Sequence, residues 1–446
     1  MRLSQLGCAA LAACTLLVAP LAHAVPKKHV LVISLDGMRP DYVTEADKHG
    51  EKIPSLRRFL KEGTYAEGVN GVIPTLTYPS HTTIMTGVWP VQHGVYGNMK
   101  FDPEDKPGSS AITDYNTIKV ETLFGAAKKA GYTVGSVGWP VASNTNGRDF
   151  NWVAPANAQI EGTADGEKPD NVPVSQIVYP ANLLNTLDVG LPKKNGITPD
   201  EYRMHRTLAM IQKYKPEFMS THLIDLDHAE HAHGPFSPEA IAAIEKLDGE
   251  VGELIAAEKK VYPDAIIIIV SDHGFLPVDH NVSLPTLFKK AGLLTKPWKV
   301  AFYPTGGVVA VILCDPKDTA LRDKVGALLK DAASHKEYGI RKVLNHDQII
   351  AQGGNPDAAF IVGFEAGYTY SRKVRENVVE DTKRTGTHGY LPDRPEIRAS
   401  FMLMGPGIAA GRDLGVIDMR QEAPTMAQIL GVKLPAAKQP ALHVQK

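Results

Sequence analysis

The sequence predicts an α/β protein with a largely parallel central sheet covered by helices on both faces. Two observations predict this fold: apolar strands alternate along the chain with amphipathic helices, and several strands lead directly into acidic residues. A strand that is apolar at every position is typical of a parallel sheet, because both of its faces are buried. The chain of 446 residues exceeds one ordinary hydrophobic core, so we expect a main domain with an inserted part.

Residues 1–24 are typical of an export signal peptide. A basic residue precedes an apolar stretch over 6–21, and a small-x-small cleavage pattern ends at Ala24. We therefore expect an exported mature domain over 25–446, periplasmic or secreted, with no transmembrane segment after cleavage. Lipid attachment at Cys14 is the alternative.

Strands and helices alternate from residue 28 onward, and the most apolar strand contains four consecutive isoleucines. Hydrophobic periodicity predicts strands over 29–34, 132–139, 218–226, 265–270 and 398–404, and helices over 118–130, 199–214 and about 241–255.

The stretch 286–375 departs from this alternation. Two apolar runs, 300–303 and 308–313, are joined across Pro304-Thr-Gly-Gly307 and predict a hairpin, and a helix is predicted over 319–334. We interpret this stretch as an inserted lid or small subdomain.

The composition excludes some classes of partner. The formal net charge is −1, so the chain has no electrostatic footprint for nucleic acid or an anionic membrane. A charged substrate must therefore be held by a local site.

Acidic residues follow three of the predicted strands. Asp36 ends the first strand, Asp227 follows another, and Asp272-His273 follows the isoleucine-rich strand. The carboxyl ends of parallel strands form the functional edge of such a sheet, so these side chains are candidate metal ligands. A single Asp at such a place is also explained as a turn or cap residue.

Two further histidines extend this candidate metal site. Asp227 and His231 are four residues apart, which places them on one face of a helical turn, as a divalent cation requires. Asp225 is the rival ligand, because it shares the predicted strand face of Asp227. His388 is flanked by glycines that allow close backbone approach, although a histidine on a surface loop is the better explanation when this residue is taken alone.

Thr77 is the candidate nucleophile. It lies just before a helix predicted to begin at Pro79, where free backbone N–H groups favour an anion such as phosphate. A helix cap is the alternative role for this residue. His81 lies inside the predicted helix and is interpreted as a packed or capping residue rather than a base. The hydroxyl therefore needs another activator, and a zinc ion supplies one.

In combination, these residues resemble the nucleotide pyrophosphatase/phosphodiesterase family of the alkaline phosphatase superfamily. The resemblance runs from about 32 to 434 and is interrupted over 286–375. Its motifs are Asp36-Gly37, Pro-Thr-x-Thr-aromatic-Pro at 74–79, Gly-Asn-Met at 97–99, Trp139-Pro140, Asp-x-x-x-His-x-x-Gly-Pro at 227–235, Ser-Asp-His-Gly at 271–274 and Gly-x-His-Gly at 386–389.

The resemblance implies an alkaline-phosphatase-like core and a phosphoric diester hydrolase with two Zn²⁺ ions per chain. It implies that one zinc is held by Asp227, His231 and His388, and the other by Asp36, Asp272 and His273. Thr77 would bridge toward the substrate and form a covalent phosphothreonine-type intermediate. Asn98 would donate a hydrogen bond to a non-bridging phosphate oxygen.

The expected substrate is a small-molecule nucleotide or a related phosphodiester. We find no Arg or Lys in a motif that would neutralise the second charge of a monoester. Tyr78 would stack on a base or pack against the lid. The family tends to place tyrosine five residues before Asp227, where this chain has His222.

Three alternatives remain open. A phosphonate hydrolase of the phosphonoacetate type, or a phospholipid-type phosphodiesterase, would use the same metal site. The third is an exported metal- or phosphate-binding protein with no catalytic activity.

Overall fold

The computed structural model describes residues 27–104, 110–156, 173–191 and 197–446. The expected signal peptide, including Cys14, lies outside these residues. Among the described residues, no helix combines the length and the apolar character that crossing a membrane requires.

The described part of the chain contains both helices and strands throughout. The helices are α1 Asp41–Thr44, α2 Ala46–His49, α3 Pro54–Glu62, α4 Thr77–Thr86, α5 Pro90–His93, α6 Leu123–Lys129, α7 Val174–Ile177, α8 Leu184–Leu187, α9 Pro199–Tyr214, α10 Asp225–His233, α11 Pro238–Val261, α12 Leu284–Lys290, α13 Thr319–Ser334, α14 His346–Ala351 and α15 Glu422–Leu430. The strands are β1 Val30–Leu35, β2 Thr64–Tyr65, β3 Gly68–Asn70, β4 Val134–Val137, β5 Trp152–Ala154, β6 Phe218–Leu223, β7 Ile266–Val270, β8 Leu276–Val282, β9 Val300–Pro304, β10 Val308–Leu313, β11 Ile340–Asn345, β12 Ala358–Phe364, β13 Gly367–Tyr370, β14 Val379–Thr387, β15 Phe401–Met404, β16 Arg412–Asp413 and β17 Val416–Asp418.

The central sheet is formed by eight strands of the described residues, in the order β16-β2-β15-β7-β1-β6-β4-β5. The run from β7 to β5 is parallel throughout. β15 is antiparallel to both of its neighbours. The predicted α/β fold with a largely parallel sheet is therefore confirmed.

Both faces of this sheet are buried by helices. Along β1, Leu31 and Ile33 join the cluster that contains side chains of α3, α9 and α11. Val30 and Val32 join the opposite cluster, which contains side chains of α6 and α15. Successive side chains of a strand point to opposite faces, so a strand between two helical layers must be apolar at every position.

Among the described residues, three smaller sheets accompany the central one, and the smallest is the parallel pair of β17 and β3. β11, β12, β10 and β9 form an antiparallel sheet in that order. β13, β8 and β14 form a mixed sheet, in which β8 is parallel to β13 and antiparallel to β14. The predicted hairpin is confirmed as β9 and β10, and the predicted helix over 319–334 is α13. Val325 and Leu329 of α13 are buried in the same hydrophobic cluster as side chains of β9, β10 and β12.

Among the predicted boundaries that are wrong, two are explained by a single side-chain contact. The strand predicted over 218–226 ends at Leu223, because the Asp200 carboxylate of α9 accepts hydrogen bonds from the N–H groups of Ile224 and Asp225 and begins α10 there. The helix predicted over 118–130 begins only after Thr122, whose side chain caps it by accepting from the Gly125 N–H.

Candidate active site

The order β7-β1-β6 places three strand ends side by side. Asp36 follows β1, Asp227 lies in the first turn of α10 just after β6, and Asp272 and His273 follow β7. All four side chains are buried. The sheet topology thus gathers at one edge the acidic residues that are far apart in sequence.

The polar atoms of this cluster face one another at short range. Nε2 of His273 lies 3.4 Å from Oδ1 of Asp36 and 3.2 Å from Oδ2 of Asp272. Asp227 places Oδ2 3.6 Å from Nε2 of His231 and Oδ1 3.7 Å from Nε2 of His388.

Two groups of side chains have the spacing that metal ligands require. Potential ligand atoms of Asp227, His231 and His388 lie within 4.8 Å of one another, and so do those of Asp36, Asp227 and His273. The first group has the composition that the resemblance implies. The second group contains Asp227 where the resemblance implied Asp272, so Asp227 belongs to both groups. Asp272 lies next to this group, with Oδ2 3.2 Å from Nε2 of His273.

The three carboxylates of the cluster need nearby positive charge to be ionised together. Burial raises the pKa of the carboxyl groups of Asp36, Asp227 and Asp272 well above the ordinary value, and their mutual repulsion raises it further. Burial also lowers the pKa of His273 and His388 well below the ordinary histidine value, which keeps both rings neutral. Neutral imidazoles beside crowded carboxylates form a suitable donor set for divalent cations.

Each histidine of the cluster is oriented by a backbone carbonyl. The Nδ1–H group donates to Gly386 O in His231, to Gly274 O in His273 and to Thr75 O in His388, at 3.2, 3.2 and 3.4 Å. Because a carbonyl only accepts, these contacts assign the proton to Nδ1. The lone pair of Nε2 is then directed into the cluster, as it is in metal-bound histidines.

Thr77 lies beside this cluster, with Oγ1 3.5 Å from Nε2 of His273. It is the first residue of α4 and Leu76 is the N-cap, so the helix begins two residues earlier than predicted. Pro79 is tolerated there because the N–H groups of the first helical turn have no acceptor within the helix, so the N–H that proline lacks costs no hydrogen bond. The Thr77 hydroxyl is therefore presented at the positive end of a helix.

His81 is engaged on both ring nitrogens. Nδ1–H donates to Thr77 O and Nε2 contacts Ser34 Oγ, both at 2.8 Å. Burial lowers the pKa of His81 to about 3. Neither nitrogen is directed at the Thr77 hydroxyl, which agrees with the interpretation of His81 as a packed residue.

A cleft of about 140 Å³ opens onto Thr77, and Asn98 and Tyr78 are part of its lining. Asn98 Oδ1 accepts from the Tyr78 N–H at 2.9 Å, which leaves the Nδ2 amino group for other partners. The Tyr78 side chain is 2% exposed and packs with Val95 and Val141. Its packing partners lie outside 286–375, and its contact with a base remains a prediction.

Two other residues of α10, Asp225 and His233, lie away from the cluster. Asp225, expected on the strand face of Asp227, instead accepts hydrogen bonds from Thr198 and Lys246, because α10 has already begun; the rival assignment is wrong. His233 is exposed and faces Glu239 at 3.7 Å.

The structure adds two residues that were not expected in the site. His222 Nε2 lies 3.0 Å from Asp36 Oδ2, and Arg203 donates from Nη1 to His222 O. Both side chains are buried and line the cleft. The position of His222 relative to Asp227 was visible in the sequence, but its contact with Asp36 follows from the pairing of β1 with β6.

A largely parallel α/β sheet with this cluster at its carboxyl edge is the arrangement that the resemblance to the alkaline phosphatase superfamily implies. Within it, the chain belongs to the type I phosphodiesterase/nucleotide pyrophosphatase family, whose family model matches residues 30–391.

The curated relatives cover different shares of the chain. Human ectonucleotide pyrophosphatase/phosphodiesterase family member 1 is 29% identical over 253 residues, which are 55% of this chain and 23% of that protein. Human bis(5'-adenosyl)-triphosphatase is 22% identical over 422 residues, 92% of this chain and 80% of that protein. The chain thus spans about a quarter of the length of family member 1.

Solved structures share the fold. Murine ectonucleotide pyrophosphatase/phosphodiesterase 5 is similar with a TM-score of 0.65 and 20% identity, over 93% of this chain and 97% of that chain. An inactive form of the same murine protein, in complex with AMP, has a TM-score of 0.64 and 19% identity over the same shares.

Proposed function

We propose that the protein is a two-metal hydrolase of phosphodiester or pyrophosphate bonds that uses Thr77 as its nucleophile. The observation that carries this proposal is the position of the Thr77 hydroxyl beside two groups of metal-ligand geometry that share Asp227. Family membership supports the same reaction class.

The residues present fit two divalent cations. Among the described residues, Oδ1 of Asp36, Oδ1 of Asp227 and Oδ2 of Asp272 are buried without a hydrogen-bond partner. Buried carboxylate oxygens normally have hydrogen-bond partners, so three unpartnered oxygens in one cluster support cation binding there. We assign Asp227, His231 and His388 to one Zn²⁺, and Asp36, Asp272 and His273 to the other, with Asp227 within reach of both.

When bound, the metal pair lowers the pKa of the Thr77 hydroxyl and neutralises charge on the attacking and leaving oxygens. Thr77 Oγ1 gives up its proton and forms a bond to phosphorus, and the bond to the leaving alcohol or phosphate breaks as the leaving oxygen takes up a proton. The N-terminus of α4 favours the negative charge of this phosphothreonine. Water then attacks phosphorus, the bond between phosphorus and Thr77 Oγ1 breaks, the phosphate product leaves, and Oγ1 takes a proton from that water.

Asn98 is proposed to hold a non-bridging phosphate oxygen. Its Oδ1 is bound to the Tyr78 backbone, so the side chain is fixed and Nδ2 is the group available as a donor. Tyr78 is proposed as the contact to the base. The AMP complex of the murine relative supports a nucleotide as the occupant of this cleft.

The experiment is a substrate panel on purified, zinc-loaded protein. A nucleotide diester, a lysophospholipid, a phosphate monoester and phosphonoacetate are compared by kcat/KM. The diester is expected to be hydrolysed fastest. Faster turnover of the monoester would overturn the diester assignment, and release of phosphate from phosphonoacetate alone would identify the phosphonate hydrolase.

Thr77→Ala tests the role of the nucleophile. We expect kcat to fall by at least about 10³-fold while both metals are retained, because the residue supplies the attacking oxygen. Thr77→Ser is the matched control, since it keeps a hydroxyl and should retain measurable turnover. Wild-type activity in Thr77→Ala would contradict the assignment, and metal binding without any turnover in wild type would indicate a binding protein.

The domain organisation and the destination of the chain are also proposals. We propose that residues 286–375 are an insertion in the phosphodiesterase domain 25–446, since β9 to β12 form a sheet of their own. The signal-peptide pattern over 1–24 supports export to the periplasm or outside the cell.

A further inference from the structure

We propose that His222 is a positioning residue that directs one oxygen of Asp36 into the metal site. The inference rests on the proposed function, in which Asp36 is a metal ligand.

The contact follows from the register of two parallel strands. Ser34 of β1 is the partner of His222 of β6, and Leu35 is the partner of Leu223. Asp36 then continues the ladder, with its N–H donating to Leu223 O at 2.9 Å. The imidazole of His222 therefore lies beside the carboxylate that follows β1, with Nε2 3.0 Å from Oδ2.

This contact divides the two carboxylate oxygens between two partners. Oδ2 of Asp36 faces His222, whereas Oδ1 lies 3.4 Å from Nε2 of His273 and has no hydrogen-bond partner among the described residues. An ionised carboxylate only accepts, so Nε2 of His222 must carry the proton of this bond. With Oδ2 held in this way, Asp36 presents a single oxygen to a cation.

The ring of His222 is itself held on several sides. Its backbone O accepts from Nη1 of Arg203 at 3.3 Å. With the proton on Nε2, the unprotonated Nδ1 lies 3.2 Å from Gly138 O and makes no hydrogen bond with it. The ring meets His81 edge to face, with centroids 4.4 Å apart. Glycine at position 138 lets the backbone there lie close to the backbone of His222, because a Cβ on Gly138 would lie 2.9 Å from His222 O. A partner this constrained restricts the rotation of the carboxylate it binds.

A pair of amide substitutions separates this role from simple packing. The Gln side-chain amide can reach the place of Nε2 and donate to Asp36, whereas the shorter Asn amide reaches only the place of Nδ1. We therefore expect His222→Gln to resemble the wild type and His222→Asn to bind one metal ion about 10- to 100-fold more weakly. His233→Gln, at the exposed end of α10, is the matched control.

The measurement is zinc retention. Each protein is loaded with Zn²⁺, freed of excess metal by gel filtration and titrated with a colorimetric chelator, and the melting temperature is measured in EDTA to compare the metal-free folds. Weaker binding of one ion in His222→Asn, at an unchanged metal-free melting temperature, supports the proposal. Equal affinity in the Asn and Gln variants, or a loss that merely follows a lower metal-free melting temperature, overturns it. A wild type that binds no zinc would instead refute the proposed function.

Discussion

Two contrasting kinds of buried carboxyl group occur in this protein. Asp36, Asp227 and Asp272 lie together with neutral histidines, so cations can compensate their charge. Glu258 of α11 is equally buried, yet neither of its oxygens has a hydrogen-bond partner among the described residues. The first kind forms the candidate metal site, whereas the second costs stability whenever the group ionises.

Glu258→Gln is expected to stabilise the protein at alkaline pH. Burial raises the pKa of Glu258 to about 7 in the folded state. The stability that the neutral form contributes is present below the ordinary pKa and is lost as the pH rises through about 7. Since Gln mimics the neutral form, the free energy of unfolding should rise by up to about 3 kcal/mol above about pH 8, and change little below about pH 5.

Urea titrations across this pH range measure the effect. Glu253→Gln on the exposed side of the same helix is the control, and it should shift the free energy of unfolding by less than about 0.5 kcal/mol. An equal gain for Glu258→Gln at acid and alkaline pH would mean that the ionised carboxyl is not the cause.

Single residues also set the limit of what the sequence could predict. Asp36, Asp227 and Asp272 were identifiable because each follows a predicted strand. Arg203 lies within an amphipathic helix, where an arginine usually faces solvent. Its burial beside His222 depends on tertiary packing that periodicity does not encode.

The loop after β14 is the element that delivers His388 to the site. Gly389 follows it with φ +79°, and its N–H donates to Thr75 O at 2.8 Å. A Cβ on Gly389 would lie 1.5 Å from Thr305 O, so the loop can close only with glycine at this position.

Gly389→Ala is expected to lower the free energy of unfolding by about 3 kcal/mol or more, because backbone atoms must move apart. Gly407→Ala is the matched control: its φ is +85°, but a Cβ there would meet no described atom within 4 Å. It should cost only the conformational strain, about 1–2 kcal/mol. Urea titrations measure the free energy of unfolding of both variants. Equal losses would show that the close approach of Gly389 to Thr305 O is not the cause of the destabilisation.

Elements were predicted well where one local pattern determined them. The helices α9 and α13 have the predicted bounds, and α9 begins with a Thr198–Glu201 capping box. The boundary between β6 and α10 was missed, because the acceptor that begins α10 is Asp200, which lies on a different element. Contacts between elements therefore set this boundary.

At the scale of the molecule, one topological fact creates the candidate site. β7, β1 and β6 are adjacent and parallel, so residues separated by more than 190 positions meet at one edge. Strand adjacency was not predictable from the pattern of apolar residues alone. His388 arrives from a different sheet, and only the family resemblance placed it among the ligands.

Metal stoichiometry tests the central claim most directly. Zinc-loaded, gel-filtered protein is analysed by plasma mass spectrometry for wild type, Asp227→Asn and the neighbouring control Asp225→Asn. About two ions per chain are expected in wild type and in the control, and fewer than about one in Asp227→Asn, because Asp227 reaches both groups. A wild type that holds one ion or none, or an Asp227→Asn variant that keeps both, would contradict the account.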